Sequence, residues 1–111
     1  MVARRPLVRG DVHLVQLEPT RGREIQKTRP CVIVSPDDIN DHLQTVVVAP
    51  MTTVARDYPW WVACRFQNRS GFVAVDQLRT VDGGRLIQRL GKLSSDTTEQ
   101  VLVRLQEMFS E

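Results

Sequence analysis

Between positions 11 and 93 the chain breaks into seven short runs rich in apolar and β-branched residues, none longer than eight residues and each bounded by turn chemistry. They cover residues 11–17, 31–35, 45–49, 60–66, 71–75, 78–81 and 86–93. Strands this short and closely spaced predict a small closed β-barrel rather than an open sheet. Asp82-Gly83-Gly84 between the last two runs is a hairpin signal. The tail changes period. Val101, Leu102, Leu105, Met108 and Phe109 recur at helical spacing, and Ser95, Asp96 and Glu99 offer an N-cap and a capping box. One C-terminal helix over about 96–109 is expected to pack across an end of the barrel, which occupies about 9–93. A shorter helical turn fits 36–41, with Ser35 as cap and Pro36 at the first helical position.

The 111 residues suit one domain, 1–111, at the commonest domain size of ~100–150 residues. With 41% apolar and 25% charged residues the composition is that of a soluble globular protein. No apolar run approaches the ~20 residues that span a bilayer, so no membrane role is expected. Arg4-Arg5-Pro6 has no apolar core behind it, which predicts no secretory signal. Cys31 and Cys64 sit in apolar stretches and read as buried free thiols, in keeping with a reducing cytoplasm. Two cysteines and two histidines (His13, His42) give little material for a metal site, and no metal or other cofactor is expected. His13 and His42 also fall far apart in the expected register, so they do not form a catalytic pair.

A domain of this size buries only ~60–70% of the surface of its unfolded chain, so a homodimer would cover more. Trp60 and Trp61 are relevant here. In a strand they point to opposite faces, which leaves at least one indole for a subunit contact or a base-stacking surface. The plainer reading is that both are buried at a barrel edge.

Charge is uneven along the chain. Residues 1–29 carry seven basic side chains against three acidic, whereas residues 30–111 carry eight against ten. The excess at the front is almost all arginine, whose planar fork suits bidentate contact with phosphate.

Runs two and three are expected to pair antiparallel, Pro30 matching Pro50 and Ser35 matching Thr45. Arg29 then lies near Met51, beside Thr52 and Thr53, and the preceding loop brings Arg21, Arg23 and Glu24 to the same rim. Guanidinium groups, paired hydroxyls and a carboxylate make a reasonable phosphodiester site. They hold phosphate by forked donors and stabilise charge that develops in the transition state. RNA supplies its own nucleophile, the 2′-hydroxyl. The bland alternatives are that the threonines cap a turn and that Arg29 pairs with Glu24.

Arg9-Gly10-Asp11-Val12, the stretch from Leu17 to Glu24, Thr28-Arg29-Pro30-Cys31-Val32-Ile33-Val34-Ser35-Pro36, Asn40, Val48-Ala49-Pro50-Met51-Thr52-Thr53, Tyr58-Pro59 and Asp76-Gln77-Leu78-Arg79-Thr80-Val81-Asp82 occur in that order over roughly 9–105. Taken together they resemble the MazF/PemK toxin family. The resemblance implies an SH3-like β-barrel with a C-terminal helix, acting as a homodimer. It implies a metal-independent, sequence-specific endoribonuclease that cleaves single-stranded RNA, arrests translation and leaves a 2′,3′-cyclic phosphate and a 5′-hydroxyl. The implied partner is a cognate antitoxin whose acidic, flexible segment covers the RNA site. Any operator DNA binding would belong to the toxin–antitoxin complex.

Position by position, Arg29 matches the family's catalytic arginine, Thr52 its catalytic threonine and Glu24 the acidic residue of the first long loop. Asp76 and Gln77 match a pair that contributes to catalysis or RNA contact in some relatives. Arginine is a poor general acid and a good electrostatic clamp, so Arg29 takes that role, with Thr52 orienting a phosphate oxygen and Glu24 as base. Arg21, Arg23, Thr53, Asp76 and Gln77 are the expected RNA-contacting set. Ile25 and Lys27 stand where many relatives carry glutamine and glycine, Arg23 where some carry histidine, and Ala74 where one branch carries arginine. Those departures favour a mechanism built on Arg29 and Thr52 over one built on Asp76. The same barrel also serves gyrase-poisoning toxins that dock by a C-terminal tryptophan, but here no tryptophan follows Trp61. A non-catalytic SH3-like binding module would leave the convergence of Arg29, Thr52 and Glu24 as coincidence.

Overall fold

The computed structural model describes residues 6–54 and 58–111; Arg4 and Arg5 of the basic leading segment lie outside them. Its strands are β1 (Asp11–Gln16), β2 (Thr28–Ile33), β3 (Thr45–Thr52), β4 (Val62–Phe66), β5 (Arg69–Val73), β6 (Arg79–Asp82) and β7 (Leu86–Lys92). The helices are α1 (Asp37–His42) and α2 (Ser95–Met108). The fold is therefore mainly β with a C-terminal helix, and no helix among the described residues is long and apolar enough to cross a membrane.

Strand β3 organises the sheet, whose order is β4-β5-β3-β2-β1-β7 with β6 also paired to β3. The first half of β3 pairs with β6, from Thr45↔Asp82 to Val48↔Arg79, and its last two residues pair with β5 as Met51↔Val73 and Thr52↔Phe72. One strand thus holds two partners in succession, and the sheet curls. Its outer strands meet through side chains: Gln67 Nε2 donates to the Leu90 carbonyl at 3.0 Å. Beside it the Phe66 ring lies so close to Gly91 that a Cβ there would sit 3.2 Å from Cζ. The closure expected from the sequence is, among the described residues, a contact and not a continuous ladder.

Apolar side chains cover both faces of the sheet. Val12, Val32, Ala49, Met51, Val73 and Leu93 pack on the face that receives Val101 of α2. Val15, Cys31, Ile33, Val46, Val48 and Val81 form a second cluster. Alternate residues of β2 therefore serve different cores.

Several local expectations are corrected. The β2–β3 register is Cys31↔Pro50, Val32↔Ala49 and Ile33↔Val48, one residue away from matching Pro30 with Pro50. The β6–β7 turn is a single 3-10 turn, Gly83–Arg85, braced by Asp82 Oδ2 accepting the Gly84 N–H at 2.7 Å; it joins strands whose ladders run to β3 and β1. The hairpin belongs instead to β4–β5. There Gln67 (φ 51°) and Asn68 (φ 63°) make a tight two-residue turn between Phe66 and Arg69.

The two tryptophans precede β4 instead of lying in it, because Trp61 is held by its own bonds in the turn; Trp61 is buried and Trp60 exposed. Ser94, not Ser95, caps α2 by accepting the Thr97 N–H at 3.2 Å, and Phe109 sits past the helix end, exposed. Ser35 does not cap α1. Its hydroxyl donates to Asn40 Oδ1 at 2.5 Å and accepts the Val47 N–H at 3.0 Å, which fixes α1 to β3 from below. Cys31 is buried as expected, while Cys64 is only half-buried.

Candidate functional site

The site begins where β2 starts and β3 ends. Pro30 and Pro50 carry no N–H, and the β2–β3 ladder runs out at Cys31↔Pro50. Continued by count, the observed register sets Arg29 against Thr52, one residue from the expected position beside Met51. Both side chains border a cleft of about 590 Å³.

The loop between β1 and β2 forms the opposite wall, and hydrogen bonds at its base and farther out fix it. At its base the Leu17 N–H donates to the Lys27 carbonyl at 3.0 Å, and Arg79 Nη1 donates to the Leu17 carbonyl at 2.8 Å. Farther out, the Ile25 N–H donates to Gln77 Oε1 at 2.7 Å. Within the loop Glu24 Oε1 accepts the Arg21 N–H at 2.9 Å, while the Glu24 N–H donates to the Arg21 carbonyl at 3.1 Å. Lys27 leaves the loop at φ 68°, a conformation that suits glycine and strains a lysine.

Arg29 is exposed and aimed by the backbone of the preceding loop: Nε donates to the Gln26 carbonyl at 3.2 Å. Among the described residues no carboxylate pairs with its guanidinium, so the alternative of an Arg29–Glu24 ion pair does not hold. Thr52 Oγ1 accepts the Val54 N–H at 3.1 Å. The hydroxyl does cap its turn, and its own proton remains able to donate toward the cleft.

Arg23, Glu24, Asp76 and Gln77 border the same cleft as Arg29 and Thr52. Arg21 does not: its backbone N–H and carbonyl close the loop's internal turn, and its side chain is not among the groups lining the cleft. Thr53 is absent from this lining and borders a neighbouring groove instead. Asp76 and Gln77 both hold structure. Asp76 Oδ1 accepts the Trp61 Nε1–H at 2.7 Å, and Gln77 anchors Ile25.

Gln26, Lys27 and Tyr58 reach the cleft without having been singled out as site residues, and so does Trp61, one of the two indoles considered for base stacking. Tyr58 and Trp61 stack edge to face with centroids 4.9 Å apart, giving the cleft an aromatic wall. The Tyr58-Pro59 pair is the available sequence signal; what it lacked was the Trp61–Asp76 bond that turns this segment inward.

Around the cleft, Arg23, Lys27 and Arg29 supply positive charge against Glu24 and Asp76. That pattern suits a phosphate gripped at one point beside a carboxylate that takes a proton. Burial pushes the Cys64 thiol up and the Cys31 thiol up to about 12, so neither is poised as a nucleophile near neutral pH. Among the described residues no three His, Cys, Asp or Glu side chains gather as a metal site would require.

Residues 8–109 match the family described as PemK-like, MazF-like toxin of type II toxin–antitoxin system. The chain is 33% identical over 81 residues to the endoribonuclease toxin MazF of Escherichia coli K12, covering 73% of each. It superposes on MazF from Deinococcus radiodurans with a TM-score of 0.81 at 25% identity, covering 91% of this chain and 94% of that one. A mycobacterial endoribonuclease solved with its cognate antitoxin matches at a TM-score of 0.76 and 28% identity, over 90% of this chain and 91% of that one.

Proposed function

The chain belongs to the PemK-like, MazF-like toxin family, and from that membership we propose that it is an endoribonuclease that cleaves single-stranded RNA without a metal ion, at preferred sequences, through the substrate's own 2′-hydroxyl. Glu24 takes the 2′-hydroxyl proton as the O2′–P bond forms. The P–O5′ bond breaks, and the leaving 5′-oxygen takes a proton from water. Products are a 2′,3′-cyclic phosphate and a 5′-hydroxyl.

Arg29 clamps the negative charge that develops on the phosphoryl oxygens, and Thr52 orients one of them by hydrogen bonding. Arg23 contributes positive charge at the rim, and the Tyr58–Trp61 wall offers a face for a base. The single observation supporting this reading is that Arg29, unpaired with any carboxylate among the described residues, shares one cleft with Thr52 and Glu24.

The protein acts in the cytoplasm as a homodimer and is silenced by a cognate antitoxin whose acidic segment lies over the cationic rim. Incubating purified protein with a long single-stranded RNA, with and without EDTA, tests the chemistry. Discrete fragments in both tubes with 2′,3′-cyclic phosphate ends are expected. Intact RNA, or cutting abolished by EDTA, overturns the proposal.

A further inference from the structure

A second groove, of about 270 Å³, adjoins the cleft, and Arg29 and Thr52 are the two residues common to both linings. Its character differs. Met51, Phe66 and Leu90 make it apolar, and its ionised lining groups are the guanidiniums of Arg29 and Arg69, with no carboxylate between them.

The groove is held in shape before anything binds. The left-handed turn at Gln67 and Asn68 brings Arg69 to the rim, Gln67 ties the hairpin to Leu90 at 3.0 Å, and the Phe66 ring is set against Gly91. Arg69 is exposed and has no ion pair among the described residues. An apolar slot with a donor-only fork at its mouth and no negative charge suits a flat ring carrying hydrogen-bond acceptors, attached to a polyanion.

We propose that this groove takes the base of the nucleotide immediately 3′ of the scissile linkage and imposes a preference there for a base that presents acceptors. The inference rests on the ribonuclease reading above. If the scissile phosphate is gripped at Arg29 and Thr52, its two flanking nucleotides lie one in each recess. Glu24 borders the cleft and not the groove, so the nucleotide offering its 2′-hydroxyl occupies the cleft. The nucleotide that leaves with the 5′-oxygen is then the one in the groove. Phe66 and Leu90 contact its ring, and Arg69 reads its edge.

The test is cleavage of a randomised single-stranded RNA pool followed by sequencing of both fragment ends. Wild type is expected to show a bias at the first nucleotide 3′ of the cut. Arg69→Ala, an exposed change that leaves the fold intact, should weaken that bias about tenfold while preferences on the 5′ side persist. Phe66→Leu keeps an apolar side chain but removes the ring and should also weaken the bias at that position, with thermal melting checking the fold. An unchanged 3′ bias in both variants, or a loss confined to the 5′ side, overturns the groove assignment while cleavage itself stands. An RNA pool left intact by wild type overturns the ribonuclease reading and the groove with it.

Discussion

Gln77 reaches across 52 residues of chain to accept the Ile25 N–H at 2.7 Å. The bond spans from the 3-10 turn after β5 to the loop that carries Glu24, so a residue matched to a family motif is, in this chain, a strut for the loop beside it. Gln77→Leu leaves that partly buried N–H without an acceptor, at a cost of about 1–3 kcal/mol, and frees the loop. RNA cleavage should slow about tenfold, mostly in kcat, an effect of misplacing a catalytic group. Gln77→Glu keeps an acceptor oxygen and should restore most of the rate. Equal rates and equal amide exchange at Ile25 in wild type and Gln77→Leu would contradict this role.

Lys27 occupies a left-handed conformation at φ 68°. The steric cost for a residue with a Cβ is about 1–2 kcal/mol there, partly offset by glycine's greater freedom when unfolded. Lys27→Gly should therefore be more stable than Lys27→Ala by about 1 kcal/mol in urea unfolding, both having lost the same charge. The reverse order would contradict the backbone argument.

Gly71 lies against the end of β3, where a Cβ would stand 2.6 Å from the Thr52 carbonyl oxygen. Backbone must move to admit it. Gly71→Ala should cost about 1–3 kcal/mol, the usual range for overpacking, and should displace Thr52. The expected result is a lower melting temperature together with slower cleavage; a variant as stable and active as wild type would contradict the close approach.

Burial raises the Cys31 thiol from 9.0 to about 12, the Arg79 guanidinium offsetting part of the rise. The folded chain therefore keeps this proton over a range in which the unfolded chain releases it. The thiol's contribution to stability is whole below about pH 9 and is lost as pH rises toward about 12, by up to ~1.4 kcal/mol per pH unit. Unfolding free energy measured between pH 8 and pH 11 should fall less steeply in Cys31→Ala than in wild type. Identical slopes would contradict the burial argument.

The valine-rich runs and the terminal helix were legible because their periods survive in the fold. The β2–β3 register was not, and the reason is physical. Val32 packs in one core and Cys31 and Ile33 in the other, so both faces of β2 are apolar and a one-residue slip exposes nothing. Asp82-Gly83-Gly84 reported a bend and could not report that β6 would pair with β3 and β7 with β1. Arg29 and Thr52 could be brought together from sequence because they sit at the ends of neighbouring strands, and an error of one residue does not separate them. Tyr58 and Trp61 enter the cleft through a hydrogen bond from Trp61 to Asp76, 15 positions away, which no local pattern encodes.

The most direct test is single-turnover cleavage of a single-stranded RNA in EDTA by wild type and by Arg29→Ala. Removing one such charge-stabilising donor should slow the cut by about 10²-fold or more, with the melting temperature little changed, because the guanidinium has no ion pair among the described residues and its hydrogen bond to the Gln26 carbonyl is solvent-exposed. Cleavage by Arg29→Ala at the wild-type rate would remove Arg29 from the chemistry and contradict the account.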